Sequence, residues 1–247
     1  MAIDDIPVST IAFPTTVRLV TTARLRASVL ASLVDGADEL SMLAEIEGAT
    51  SARQMAQDRG IFGLAANELV YDVPHAHFIN ASFAYARPQQ PNRFNGPHRG
   101  AWYAALLVET CLAEVRYHLT RFLADAGRYQ AVVDYAEMLC SLAGAYLDLR
   151  QRPAHPALGS DAATAYPIGN RLADAARAKG LNGVIYPSVR HSGGTCLAAL
   201  RPAAVQSVRQ GDVYRMTWAG DPVPTIEGPR ARLNPANPDA TGYSAAW

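Results

Sequence analysis

The sequence predicts a single α+β domain, and three observations predict it. The strongest amphipathic helix pattern lies mid-chain, over 108–123, with short β-prone runs on both sides. No internal repeat and no linker divides the 247 residues. The chain is 49% hydrophobic and 18% charged, the balance of a globular protein able to bury a core.

The elements follow in order. Residues 1–15, with Pro7 and Pro14, read as an extended arm, and Thr16–Val20 as a short strand containing Arg18. Residues 23–59 are rich in Ala, Leu, Glu and Arg and are punctuated by Gly36 and Gly48. They read as two helices forming an N-terminal cap. His77–Phe83 alternates and reads as a strand. The Pro/Gly-rich run 86–100 is a long loop leading into a strand at 102–107.

In the helix at 108–123, Val108, Cys111, Leu112, Val115, Leu119, Phe122 and Leu123 form one stripe. Residues 129–149 are β-prone around Gly144 and read as a hairpin or two consecutive strands. Gln151–Ala165 reads as a loop, followed by a short helix over 170–179, capped by Asn170 or Gly169 and ended by Gly180. Strands are expected at 183–186 and 195–200, and a closing hairpin at 205–208 and 212–218 across Gln210–Gly211. From 219 onward a Pro-rich tail reads as a surface strap.

Composition also excludes function classes. The zero net charge gives no support to a nucleic-acid or membrane-surface binder. Cys111, Cys140 and Cys196 are scattered, which suits buried free thiols rather than a disulfide frame or a zinc site. The start MAIDDIPVST has no apolar signal-peptide core, and no run is long enough to span a bilayer. The expectation is a soluble cytoplasmic protein.

Two stretches carry the candidate chemistry: Arg93–His118 and Asn182–Gly194. Arg93 lies in a turn-rich loop, where a planar guanidinium and nearby amides suit a pyrophosphate; on local grounds alone a solvated loop arginine is the more common case. Trp102 and Tyr103 offer a stacking face, although strand alternation buries one of them. Glu114 and His118 share a helix face four residues apart. They suit an acid/base or electrostatic pair, or an ordinary surface pair. No third ligand stands near them, so no metal is expected. Ser188 follows Tyr186–Pro187 outside any GxSxG elbow, so it suits orienting a substrate, or simply forming a turn. Neither GxGxxG nor GxxxxGK[ST] occurs.

RFN, then GAWYAA, then AEVRYH, then GVIYPSVR…GG resembles the RES-domain family, named for an arginine, a glutamate and a serine. TVRLV and AEIEGATSAR upstream and AYLDLR in the middle extend the resemblance over 16–218; RFN replaces the RWN of many relatives. The resemblance implies an ADP-ribosyltransferase-like fold with mixed sheets, and a bacterial toxin paired with an Xre-type antitoxin. It implies that NAD+ is consumed as a substrate, with no cofactor or metal, by cleavage of the nicotinamide–ribose bond. The ADP-ribose would pass to phosphate, water or a protein. Carried over by position, the family's residues fall on Arg93, Tyr103, Glu114 and Ser188. Arg18 matches an earlier arginine, and His118 is a further candidate for substrate contact. The resemblance assigns Arg93 and Arg18 to the pyrophosphate, Tyr103 to stacking beside nicotinamide, and Glu114 to the ribose and its developing positive charge. Ser188 would orient Glu114 or the substrate. A transferase specific for one host protein, a non-catalytic nucleotide-binding regulatory partner and a purely structural α+β protein are the competing classes.

Overall fold

Strand β1 (Val8–Thr21) runs antiparallel along most of β3 (Gln130–Asp148), from Val8 opposite Leu147 to Thr21 opposite Tyr135. The computed structural model describes residues 5–25, 64–84 and 92–230. The other strands are β2 (Trp102–Ala105), β4 (Gly183–Pro187), β5 (Thr195–Ala199), β6 (Val205–Ala219) and β7 (Thr225–Arg230). They form one seven-stranded mixed sheet in the order β1-β2-β5-β4-β3-β6-β7, and the β1–β3 pairing closes part of it on itself. Among the described residues there are three α-helices: α1 (Ala76–Ala84), α2 (Val108–Asp125) and α3 (Ala162–Ala178). The result is the expected single mixed α/β domain. The helical cap expected over 23–59 lies almost wholly outside the described residues, apart from a short 3-10 turn at Thr22–Arg24.

Alternation along the strands sends side chains to two cores. On one face, Val17, Tyr103, Val184, Tyr186, Cys196 and Ala198 meet residues of α2 and α3, including Cys111, Leu172 and Ala173. On the other, Val20, Trp102, Ile185, Leu197, Met138 and Cys140 pack under Ile79 and Phe83 of α1. The lower part of α2 lies over β3 and β6, where Leu112, Val115, Leu119 and Leu123 meet Tyr135, Met216 and Trp218. Trp218 also donates from Nε1 to Thr120 Oγ1 at 3.0 Å. Burying each such large side chain stabilises the fold by about 1.5–3 kcal/mol.

Several expected elements are corrected. The part of the expected arm from Val8 onward is paired strand, with a register shift between Phe13 and Thr16 that accommodates Pro14, while residues 1–4 lie outside the described residues. Residues 77–83 are helix α1, because Ile79 and Phe83 are one turn apart and both enter the core. The run 129–149 is one strand. Gly144 is not a turn but a close approach: it has φ +106°, and Asn182 packs against it while donating to Ala143 O at 2.8 Å. Residues 205–219 are also one strand. The Gln210–Gly211 step is a bulge, where the buried Glu137 carboxylate accepts from Asp212 N at 2.9 Å.

Helix α3 starts eight residues early. Asp161 is its cap, accepting from Ala163 N at 3.1 Å, and Asn170 lies inside it. Part of the tail is the edge strand β7; residues 231–247 lie outside the described residues. Phe122 leaves the apolar stripe of α2 and is 61% exposed. No helix among the described residues is long and apolar enough to cross a membrane.

The start of β1 is held by Asp148, which accepts from Ser9 Oγ at 2.7 Å, from Arg150 N at 2.9 Å and from the Arg150 guanidinium at 2.5 Å. Burial pushes this carboxyl up, but the Arg150 and Ser9 donors outweigh burial and hold it at about 2, below the ordinary 3.8. A depressed folded-state pKa stabilises the protein above the unfolded value, and that stabilisation is lost as pH falls through the folded value. The melting temperature of the parent should therefore fall towards that of Asp148→Asn between about pH 4 and pH 2. A constant gap between the two across that range would remove the assignment.

Candidate active site

Glu114 lies on the first half of α2, one turn below Thr110. Thr110 is fully buried and bonded through Oγ1 to His191 Nδ1 at 2.8 Å. That bond clips the 188–194 loop to the helix. The loop closes on itself through Ser188 N to Gly194 O at 2.8 Å and Gly194 N to His191 O at 3.0 Å. Gly194 must lack a side chain, because a Cβ there would sit 2.6 Å from Thr110 Oγ1. The loop amides of Arg190 and His191 both donate to Ser188 Oγ, at 3.1 and 3.0 Å. With its lone pairs engaged, the hydroxyl aims its proton at Glu114 Oε1, 2.8 Å away. Glu114 is half-buried. Its Oε2 has no hydrogen bond among the described residues and is open to solvent.

Arg93 is only 8% exposed. Its Nη1 donates to Ala157 O at 2.6 Å and Gly159 O at 3.0 Å, and its guanidinium lies 5.1 Å from the centre of the Tyr166 ring. His155 shapes this carbonyl turn by accepting from Ala157 N at 3.1 Å. The Arg93 loop is fastened at three points. Tyr103 Oη accepts from Phe94 N and donates to Asn95 Oδ1, both at 2.9 Å. The Phe94 ring packs 4.8 Å from Tyr186. Gly169 of α3 lies directly against the Arg93 carbonyl.

The Arg190 guanidinium stacks 3.4 Å over Tyr117, and its Nη2 donates to Ser160 O at 3.3 Å. His118 is exposed beside Tyr117. The protein mass around its ring lowers its pKa; Glu114 pulls it up, while Arg190, Arg93 and Arg121 push it further down. The neutral imidazole is the favoured form. Two clefts are formed by residues of α2, α3 and the loops beside them. One of about 430 Å³ is lined by Tyr166, Gly96 and Asn170, and one of about 510 Å³ by Tyr117, Arg190 and Val223. Neither holds Glu114 itself, so geometry rather than cavity size locates the site.

The structure thus brings Arg93, Glu114, His118 and Ser188 into one neighbourhood. Tyr103 joins through its hydroxyl, which braces the Arg93 loop; Trp102 faces the other core and is buried, as alternation requires. Arg18 does not join them. Val17 and Leu19 face α2, so Arg18 points through the opposite face, with its guanidinium 4.8 Å over the Trp102 ring and Nη1 donating to Tyr103 O at 3.5 Å. Tyr117, Tyr166 and Arg190 are the residues that sequence reasoning passed over. Arg190 lay inside the quoted SVR run, whereas Tyr166 lay just past a run read as loop, where no pattern marked it. Cys196 Sγ lies 3.9 Å from Glu114 Oε1, but burial and that carboxylate raise its pKa and keep it a thiol. Among the described residues no cluster of His, Cys, Asp and Glu is arranged to hold a metal.

The family model of the RES domain matches residues 69–219. The chain belongs to the RES-domain family. The matched segment contains Arg93, Tyr103, Glu114, His118 and Ser188 and leaves out β1 with Arg18, although β1 is paired along most of its length in the sheet. Among solved structures, this RES protein is similar to a chain in the crystal structure of the M. tuberculosis MbcT–MbcA toxin–antitoxin complex. The identity is 19% over 53% of this chain and 74% of that chain, with a TM-score of 0.37. Comparison with curated proteins returned no match.

Proposed function

We propose that this RES protein cleaves the nicotinamide–ribose bond of NAD+ and passes ADP-ribose to phosphate, water or a protein. In this reading it acts as the toxin of a toxin–antitoxin pair, held in check by an Xre-type antitoxin. The observation that carries the reading is the Ser188–Glu114 bond at 2.8 Å, which leaves Glu114 Oε2 without a hydrogen bond among the described residues. Membership of the RES family supports it.

The chemistry suits such a pair. When the C1′–N bond breaks, its electrons move to the pyridinium nitrogen, and neutral nicotinamide leaves. The ribose carbon becomes cationic and needs electrostatic support more than a protein nucleophile. Glu114 Oε2 would meet the ribose while Ser188 keeps Oε1 from rotating. The open nitrogens of Arg93 would meet the diphosphate, and the neutral His118 would border the leaving group. Tyr103 would act mainly by holding the Arg93 loop.

The test is incubation of pure protein with NAD+ labelled in the adenylate half, with and without phosphate and cell extract. Free ADP-ribose, its 1-phosphate or a labelled protein band each supports cleavage and names the acceptor; intact NAD+ under all conditions removes the reading. Ser188→Ala should lower kcat roughly tenfold to a hundredfold, the worth of a hydrogen bond to a charged group, while the melting temperature falls by only a few degrees through loss of the two amide bonds to Ser188 Oγ. An unchanged kcat would take Ser188 out of the mechanism.

A further inference from the structure

Arg190 is held by three contacts: its stack on Tyr117, the bond from Nη2 to Ser160 O, and its own amide on Ser188 Oγ. The other side-chain nitrogens have no hydrogen bond among the described residues and are not fully buried. Tyr117 is also engaged by Arg121. Arg116, Arg121 and Arg190 line one cleft of about 510 Å³, whose remaining walls include Tyr117, Pro222 and Val223, and among the described residues no carboxylate lines it. A cleft of this size fits a nucleotide. Pre-ordered guanidinium forks suit phosphate oxygens, and the apolar walls suit a ribose or base. Arg93 is held against a tyrosine in a similar way, its guanidinium 5.1 Å from the centre of the Tyr166 ring.

We infer that the Arg190 cleft is a second anion-binding wall that takes a nucleoside diphosphate, with Arg190 as the partner of Arg93. The inference rests on the site reading above and deepens it. It moves to Arg190 the supporting diphosphate contact that the family resemblance gave to Arg18 beside Arg93; Arg18 faces the other core. Arg190 binds substrate; through its amide it also positions Ser188.

Calorimetry with ADP on the full-length protein tests this. Arg190→Gln should weaken ADP binding roughly tenfold or more, Arg190→Lys less, and Arg18→Gln not at all. In NAD+ turnover, Arg190→Gln should raise KM while kcat stays within about threefold. Parent affinity in Arg190→Gln, loss of affinity in Arg18→Gln, or no ADP binding by the parent overturns the inference. If the parent binds ADP, loses it in Arg190→Gln and leaves NAD+ intact, the inference stands and the proposed reaction falls. If NAD+ is consumed with the same KM by the parent and Arg190→Gln, the inference falls alone.

Discussion

Glu114→Gln should lower NAD+ consumption by about two to three orders of magnitude, the usual effect of removing one electrostatic partner of a transition state. The substitution is isosteric. The amide oxygen of Gln still accepts from Ser188, so the 188–194 loop and its bond to Thr110 should survive. What is lost is the negative charge facing the ribose as it becomes cationic. Because that charge acts mainly in the transition state, kcat should fall and KM stay near the parent value. Steady-state kinetics with a melting curve on the same sample checks both halves. A variant that melts like the parent and still degrades NAD+ at the parent rate would remove Glu114 from the mechanism.

Gly169→Ala should damage the site from outside it. Two effects compete. Inside a helix, Ala is favoured over Gly by about 1 kcal/mol. Here, however, the new Cβ would come 2.0 Å from the Arg93 carbonyl oxygen, a backbone atom that cannot swing aside. Overpacking of this kind costs about 1–3 kcal/mol, so the clash should win. A net loss of up to about 2 kcal/mol would lower Tm by up to roughly 8 °C in a chain of this size. The functional loss should be larger, because displacing a substrate-positioning group by about 1 Å can cost a hundredfold in rate. Gly228→Ala, where a Cβ meets nothing within 4 Å, should change neither Tm nor rate. If Gly169→Ala matches Gly228→Ala in both measurements, the contact between α3 and the Arg93 loop does not support the site.

Legibility in the sequence followed the range of the interactions. Helix α2 and strands β2, β4 and β5 were readable because their burial repeats over a few residues and turn residues bound them. Residues 77–83 misled because HFINASF satisfies both periods, and only the core around Ile79 and Phe83 chooses the helix. Gly144 and Gly211 looked like turns because glycine usually marks one. In the fold each is a place where another side chain, Asn182 or Glu137, comes against the strand. The paired part of the N-terminal arm could not be foreseen, because its partners lie more than 120 residues away.

By itself, the sequence determined the α+β class, the i,i+4 placement of Glu114 and His118 on one helix, and the turn around Ser188, all of them local properties of the chain. The family's order of motifs named Arg93, Glu114 and Ser188 together. Only the tertiary structure decided what these residues touch. It joined Ser188 to Glu114 across 74 residues, tied Arg93 to the 157–159 turn, brought Arg190 and Tyr117 beside them, and turned Arg18 to the other core. The physical reason is strand alternation and sheet order. A side chain's face depends on which strands pair and in what register, and those pairings join segments too far apart for a local pattern to record.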